Sequence, residues 1–413
     1  MKKKISKINQ LINRKYKYSL LENGLNNSDI AVGKKVLSSK RITMAQHTRN
    51  FETAFAKKLN VKHALMVNSG SSANLLSVFA SCNPLRKNRF KPGDEAIIQG
   101  LCWSTSLWPL VQAGLKPVFV DVDPNTFNVR TEDIINSINK NTKVILIVHV
   151  LGNSGEIDKI RKICKKRKII LIEDACESLG SKYKNKFLGT FGDFGTYSFY
   201  YSHQITSGEG GMIVCNNFSD YQILVSMRAH GWSRGIKLNN ELSRKYKNID
   251  ERFLFLNSGF NLRPLDLTAS IGNNQLKRIN KFIKIRNYNR EKIIKKLTSS
   301  KSWNNQFTFL KASNHLKPSW FGLPILLHEK FSNVKAKFLK YLEKNNIENR
   351  PIISGNFLNQ PSIKLFKLNN KRKKLKGAQS IEDRGFFIGI HTKKISNDEL
   401  NHLEKKLLNI ENL

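Results

Sequence analysis

The sequence predicts an α/β protein: a large domain with a mainly parallel sheet, followed by a smaller C-terminal domain. Three observations predict it. Seven short apolar runs recur between residues 63 and 216: HALMVNS, EAIIQG, KPVFVDV, KVILIVHV, KIILIEDAC, FGTYSFYY and GMIVCN. They are continuously apolar rather than alternating, as strands covered on both faces are. Stretches of helical period such as SANLLSVFASC and IDKIRKICKKR intervene, which is the order of a helix-covered sheet. Finally, 413 residues exceed what one core comfortably holds.

Taken in order, an N-terminal segment is expected over 1–45, a large domain over 46–275, and a linker helix with a small domain over 276–413. The start, MKKKISKINQLINRKYKYSLL, is basic but has no apolar stretch or small-residue cleavage site of a signal peptide. HALMVNS runs into NSGSSANLL, where a strand ends, small residues follow and a helix begins. EAIIQG leads to LCWSTS, KIILIEDAC ends near Asp174, and FGTYSFYY breaks into the polar turn SHQITSGEG before GMIVCN resumes. After Pro264, LDLTASIGNNQLKRINKFIKIRNYNREKIIKKL reads as one or two long helices bridging the domains. Beyond them, WFGLPILL reads as a strand and NVKAKFLKYLEKNN as an amphipathic helix.

A formal charge of +40 invites a nucleic-acid reading. The lysines, however, are spread through nearly every segment, and no zinc-finger, helix-turn-helix or RNA-binding signature accompanies them. Charge without a motif supports only nonspecific phosphate attraction, so no specific nucleic-acid partner is expected; a basic surface also favours anionic small substrates. The five cysteines stand singly with no CxxC pair, so no metal or iron–sulfur site is expected. No apolar run approaches the ~18 residues of a membrane span. The expected location is the cytoplasm.

Several residues carry candidate chemistry. The NSGSSANLL junction offers backbone N–H groups and a helix dipole suited to a phosphate, or it is a plain turn with a serine cap. Asp174 stands where open α/β sheets place ligands; it faces a cationic ring nitrogen, or it caps the next helix. Trp103 covers an aromatic ring or packs in the core. Ser198, five residues before His203, has a hydroxyl able to add a phosphate contact.

Together, and in this order, these stretches resemble the DegT/DnrJ/EryC1/StrS family of nucleotide-sugar aminotransferases, enzymes of the aspartate-aminotransferase fold (fold type I) that use pyridoxal phosphate (PLP). FYYSHQIT, RAHGWSR, NLRPLDLTASIG, SWFG and RPIISGNFL extend the likeness over both domains. The resemblance implies that Gly70, Ser71 and Ser198 hold the cofactor phosphate. It implies further that Trp103 stacks on the ring, Asp174 partners the pyridine nitrogen, and Glu177 contacts the cofactor. Asn261 would reach the cofactor of a neighbouring subunit, making the protein a homodimer with shared active sites. Arg228, His230, Arg263 and Arg350 lie in the shared stretches as candidate substrate contacts; each arginine is equally a candidate for a structural ion pair, and His230 for a packed loop residue.

The family's covalent lysine corresponds here to His203, as it does in a branch of sugar 3-dehydratases. The second histidine of that branch is Gln204 here, to which no role is assigned. A histidine transfers protons near neutral pH but cannot capture the cofactor as a stable Schiff base; the alternative is a copy inactivated by substitution. The branch implies that L-glutamate converts noncovalently bound PLP to pyridoxamine phosphate (PMP), with His203 moving the proton. PMP then serves loss of the C3 hydroxyl from a nucleotide-diphosphate 4-keto-6-deoxyhexose, giving a 3,6-dideoxy-4-ketosugar for surface polysaccharide. Another branch with this histidine needs an iron–sulfur cluster and a reductase partner; no cysteine follows Cys215 here, so neither is expected. Two rival readings are a different PLP reaction on a keto sugar and a non-catalytic binding protein on this fold.

Overall fold

The computed structural model describes residues 16–21, 24–236, 245–368 and 374–413. Most of the basic opening stretch, residues 1–15, lies outside them. All seven apolar runs become strands of one sheet: β1 (His63–Val67), β2 (Glu95–Gln99), β3 (Lys116–Val120), β4 (Thr142–Val148), β5 (Ile170–Asp174), β6 (Phe194–Ser198) and β7 (Gly211–Cys215). Their order is β1-β7-β6-β5-β4-β2-β3. The pairs β6·β5, β5·β4, β4·β2 and β2·β3 are parallel. Only β7 runs against its neighbours, between β1 and β6. The carboxyl ends of the parallel strands therefore share one edge of the sheet.

Helices cover both faces, which explains why the strands carry no polar alternation. On one side lie α1 (Asn27–Ser38), α2 (Gln46–Leu59), α5 (Ile157–Arg167) and α7 (Asp266–Leu276), while α3 (Gly70–Ser81), α4 (Ser104–Gln112) and α6 (Phe218–Arg228) cover the other. Phe51 and Phe55 of α2 pack with Tyr197, Phe199, Met66 and Ala269 in one cluster. Burying each such aromatic contributes roughly 1.5–3 kcal/mol. The stretch read as one or two helices is two: it breaks at Lys277 and Arg278, after which α8 (Ile279–Thr298) runs on for 20 residues.

A second, antiparallel sheet follows, built from β8 (Phe307–Phe309), β9 (Leu323–Leu327), β10 (Asn349–Pro351) and β11 (Gly385–Ile388) in the order β8-β9-β11-β10. The expected helix forms as α9 (Lys335–Lys344), and α10 (Asn397–Leu407) packs along α8. Of WFGLPILL only the last five residues form strand β9. Ser319–Gly322 stays irregular and is held by hydrogen bonds to the large sheet's loops. Among the described residues, no helix is long and apolar enough to cross a membrane.

Candidate active site

Asp174 ends β5 at the shared carboxyl edge and is 4% exposed. A buried carboxylate must be hydrogen-bonded, and the partners come from other elements. Asn74 Nδ2 on α3 and Ser106 Oγ on α4 each donate to Oδ2 at 2.7 Å. Thr196 Oγ1 on β6 donates to Asn74 Oδ1 at 2.6 Å, which orients the amide. Oδ1 receives a longer bond, 3.2 Å, from the Cys176 N–H. No helix begins at Asp174, so the capping alternative falls away. Sequence reading missed Asn74, Ser106 and Thr196.

Beside it, α3 starts as the NSGSSANLL pattern predicts. Ser69 is its N-cap and accepts from the Ser72 N–H at 3.0 Å. Gly70 has no room for a side chain: a Cβ there would come within 2.5 Å of the Ser198 Cβ. Gly211 is equally confined, since its Cβ would lie 2.2 Å from the Ser69 carbonyl oxygen. These close approaches bring the α3 N-terminus against the end of β6. Ser71 Oγ lies 3.0 Å from Thr105 Oγ1, tying it to the turn that carries Trp103. Trp103 is 54% exposed and so is not a core residue.

His203 sits on the turn between β6 and β7, its N–H donating to the Tyr200 carbonyl at 3.0 Å. The ring packs edge-to-face on Phe321, with centroids 5.0 Å apart. Its Nδ1 is buried without a partner. Burial, and secondarily the Arg286 charge, push the imidazole down to about 3, so it is neutral at physiological pH. Gln204, which the sequence left without a role, is buried. Its Nε2 donates to the Glu177 carbonyl at 2.5 Å and to the Ser319 carbonyl at 3.2 Å. That clasp joins the His203 turn to the loop after β5 and to the lead-in of β9. The Glu177 carboxylate accepts from the Leu151 N–H at 2.9 Å, and burial pushes its pKa up to about 7.

The remaining candidates lie elsewhere. Arg228 is 7% exposed and committed to Glu52 Oε1 at 2.6 Å and the Met66 carbonyl at 2.7 Å. It is thus a structural ion pair; losing one partner of such a pair typically costs about 3–5 kcal/mol. His230 occupies a left-handed turn at φ 63° and packs edge-to-face on Trp232. Asn261 is exposed, bridges to Ala229 and accepts from Arg263 Nε at 3.0 Å. Arg263 also lies over the Trp232 ring. Arg350 pairs with Glu348 at 2.8 Å on the small sheet.

The model of the DegT/DnrJ/EryC1/StrS aminotransferase family matches residues 24–407. The chain belongs to that family. It is 37% identical to the GDP-4-keto-6-deoxy-D-mannose 3-dehydratase of Escherichia coli O55:H7 over 90% of this chain and 94% of that one. A solved structure of the E. coli GDP-4-keto-6-deoxy-D-mannose-3-dehydratase with bound hydrated PLP superposes with TM-score 0.87 at 35% identity, covering 95% of this chain and all of that one. A structure of GDP-4-keto-6-deoxymannose-3-dehydratase with a trapped PLP-glutamate geminal diamine also gives 0.87, at 36% identity, covering 94% of this chain and 100% of that one.

PLP is the typical cofactor of the DegT/DnrJ/EryC1/StrS family, and the residues present here fit it. Gly70 leaves a cradle between the α3 N-terminus and Ser198 that any side chain would fill. Asp174 keeps Oδ1 lightly engaged while Oδ2 is saturated. Trp103 exposes an aromatic face at the same edge of the sheet.

Proposed function

We propose that the chain is a glutamate- and PLP-dependent 3-dehydratase of a nucleotide-linked 4-keto-6-deoxyhexose, yielding a 3,6-dideoxy-4-ketosugar. One observation carries this reading: the turn between β6 and β7 holds a neutral histidine, His203, and no lysine. Bound PLP supplies the electron sink and source for both half-reactions.

The chain's own residues supply the rest. Gly70, Ser71 and Ser198 gather N–H and hydroxyl donors for a phosphate at the α3 N-terminus. Asp174 offers a carboxylate oxygen to a protonated ring nitrogen and keeps that ring electron-poor. Trp103 covers the ring, and Glu177 borders it. His203 accepts the α-carbon proton of glutamate, and the same imidazole serves the sugar half-reaction in which the C3 hydroxyl departs. The balance is one glutamate and one sugar in, and 2-oxoglutarate, ammonia and the deoxygenated sugar out. An imidazole has no route to a lasting imine with the cofactor, so amine return to the sugar is disfavoured.

Incubating the protein with PLP, glutamate and a panel of 4-keto-6-deoxy nucleotide sugars tests this. A product lighter by one oxygen supports the reading, whereas a product that has gained an amino group identifies an aminotransferase and rejects it.

The active sites are shared between two copies. Asn261 is exposed in one chain and makes no hydrogen bond to the other cofactor candidates. The segment before it exposes Phe253 and Phe255, apolar surface of the kind that subunit contacts cover. Mixing His203→Asn and Asn261→Ala subunits should restore about a quarter of the sites through heterodimers, by statistical pairing of the two defects. Mixtures that regain nothing, from variants that each remain folded, would show that sites are not shared.

A further inference from the structure

Arg286 of α8 is among the largest side chains the protein encloses completely, at 1% exposure. Its Nη2 donates to the Phe321 carbonyl, while Nε and Nη1 have no partner. No carboxylate neutralises it among the described residues, and burial lowers its own pKa to about 10. An enclosed guanidinium with one hydrogen bond is expensive, and a hydrocarbon of similar shape is often the more stable occupant. Strongly perturbed charges of this kind cluster at functional sites. The neighbour here is informative, because the Phe321 whose backbone Arg286 grips is the residue whose ring abuts His203.

We propose that Arg286 is a positioning residue for His203: its guanidinium grips the Phe321 backbone, holds that residue's ring against the imidazole, and sets behind this wall a cation with no carboxylate partner among the described residues. The segment it holds is gripped at each residue. The Ser319 N–H donates to Ser181 Oγ at 2.8 Å, and the Phe321 N–H donates to the Leu151 carbonyl at 3.2 Å. Arg290 lies over the Trp320 ring at 4.4 Å. Other charges also face His203. Asp29 of α1, Arg278 between α7 and α8, and Lys281 of α8 line with it a cavity of about 250 Å³. Asp29 and Arg278 neutralise each other at 2.5 Å. Glu177 stands beyond Gln204 and is itself pushed toward its neutral form. Arg286 is the charge that adds to burial in lowering the basicity of His203.

The inference rests on His203 being the base proposed above, and two measurements separate the two ideas. Histidine-selective nitrogen NMR on the cofactor-free protein reads His203 directly, its signal assigned by its disappearance in His203→Asn. Arg286→Met keeps the stem and removes the charge, so His203 should titrate about one pH unit higher, a tenfold change in its protonation ratio. Arg286→Lys keeps the charge and should hold the titration near that of the wild type. With PLP and glutamate, the acid limb of the half-reaction should move with the NMR titration in Arg286→Met and stay in place in Arg286→Lys. If Arg286→Met does not fold, Arg286→Gln replaces it under the same criteria. An unmoved His203 titration in the uncharged variant, or a lysine variant that shifts as far as it does, overturns the proposal. A shifted titration in a protein that deoxygenates no sugar would uphold it while rejecting the dehydratase reading.

Discussion

His203→Asn should halt glutamate-driven formation of PMP and the sugar dehydration together, because in the proposed reaction one imidazole serves both. A positioned general base contributes about 10²–10⁴-fold, so a loss of that size is expected in single-turnover absorbance measurements with glutamate and again in product assays with sugar. Loss of only one half-reaction would show that a second group shares the work. The wild-type protein, treated with borohydride in the presence of PLP, should carry no pyridoxyl group; His203→Lys should acquire one at residue 203 and lose dehydration. A label on any lysine of the wild-type site would reject noncovalent binding. Acid sensitivity follows from the same residue. The folded imidazole titrates near 3 and an unfolded one near 6.5, so stability tied to this group is intact above pH 6.5 and falls as pH drops toward 3. Its slope is at most about 1.4 kcal/mol per pH unit, and the asparagine variant should lack this component in urea melts.

Asp174→Asn should abolish turnover and weaken PLP binding by about 10–100-fold, the range set by a charge-assisted hydrogen bond. The geometry explains why so small a change matters. Asn74 and Ser106 both donate to Oδ2, so the carbonyl oxygen of an asparagine would be drawn to that side. The amide NH2 would then face the ring nitrogen, placing donor against donor where the aspartate offers an acceptor. Absorbance titration with PLP gives the affinity, and the glutamate half-reaction gives the rate. Near-normal values for both would mean that the ring nitrogen lies elsewhere.

Much of the fold is legible because buried parallel strands leave a plain mark: each of the seven continuous apolar runs is a strand of the large sheet. The chain's approach to the site is legible for the same reason, since Asp174 and Ser198 end such runs and Ser69 opens a helix. What sequence could not show is pairing at a distance. Asn74 meets Asp174 across 100 residues, and a polar side chain inside SANLLSVF resembles any small helix residue until the fold closes on it. Arg286 is one of 71 basic residues, and composition hides it. A signal did exist: Ile279, Arg286, Asn289, Ile293 and Leu297 are the buried positions of α8, so 286 lies on the helix's inward stripe, where a charge is out of place. Arg228 shows the converse, for a shared motif was carried by a buried ion pair with Glu52.

The placement of β7 has a consequence for local opening. Gly211 pairs with both Val67 and Ser198, so the His203 turn is tied off between two seams inside the sheet rather than at its margin. Phe199 N–H donates to the Gly210 carbonyl and Ser207 N–H to the Phe199 carbonyl, both at 2.9 Å, closing the loop on itself. Freeing those amides means loosening the loop where β6 and β7 are joined, one strand in from the edge. Their exchange with deuterated solvent should therefore be slower than that of an ordinary surface loop. The His203 turn, though irregular in outline, is expected to exchange with the sheet that holds it rather than with the surface loops.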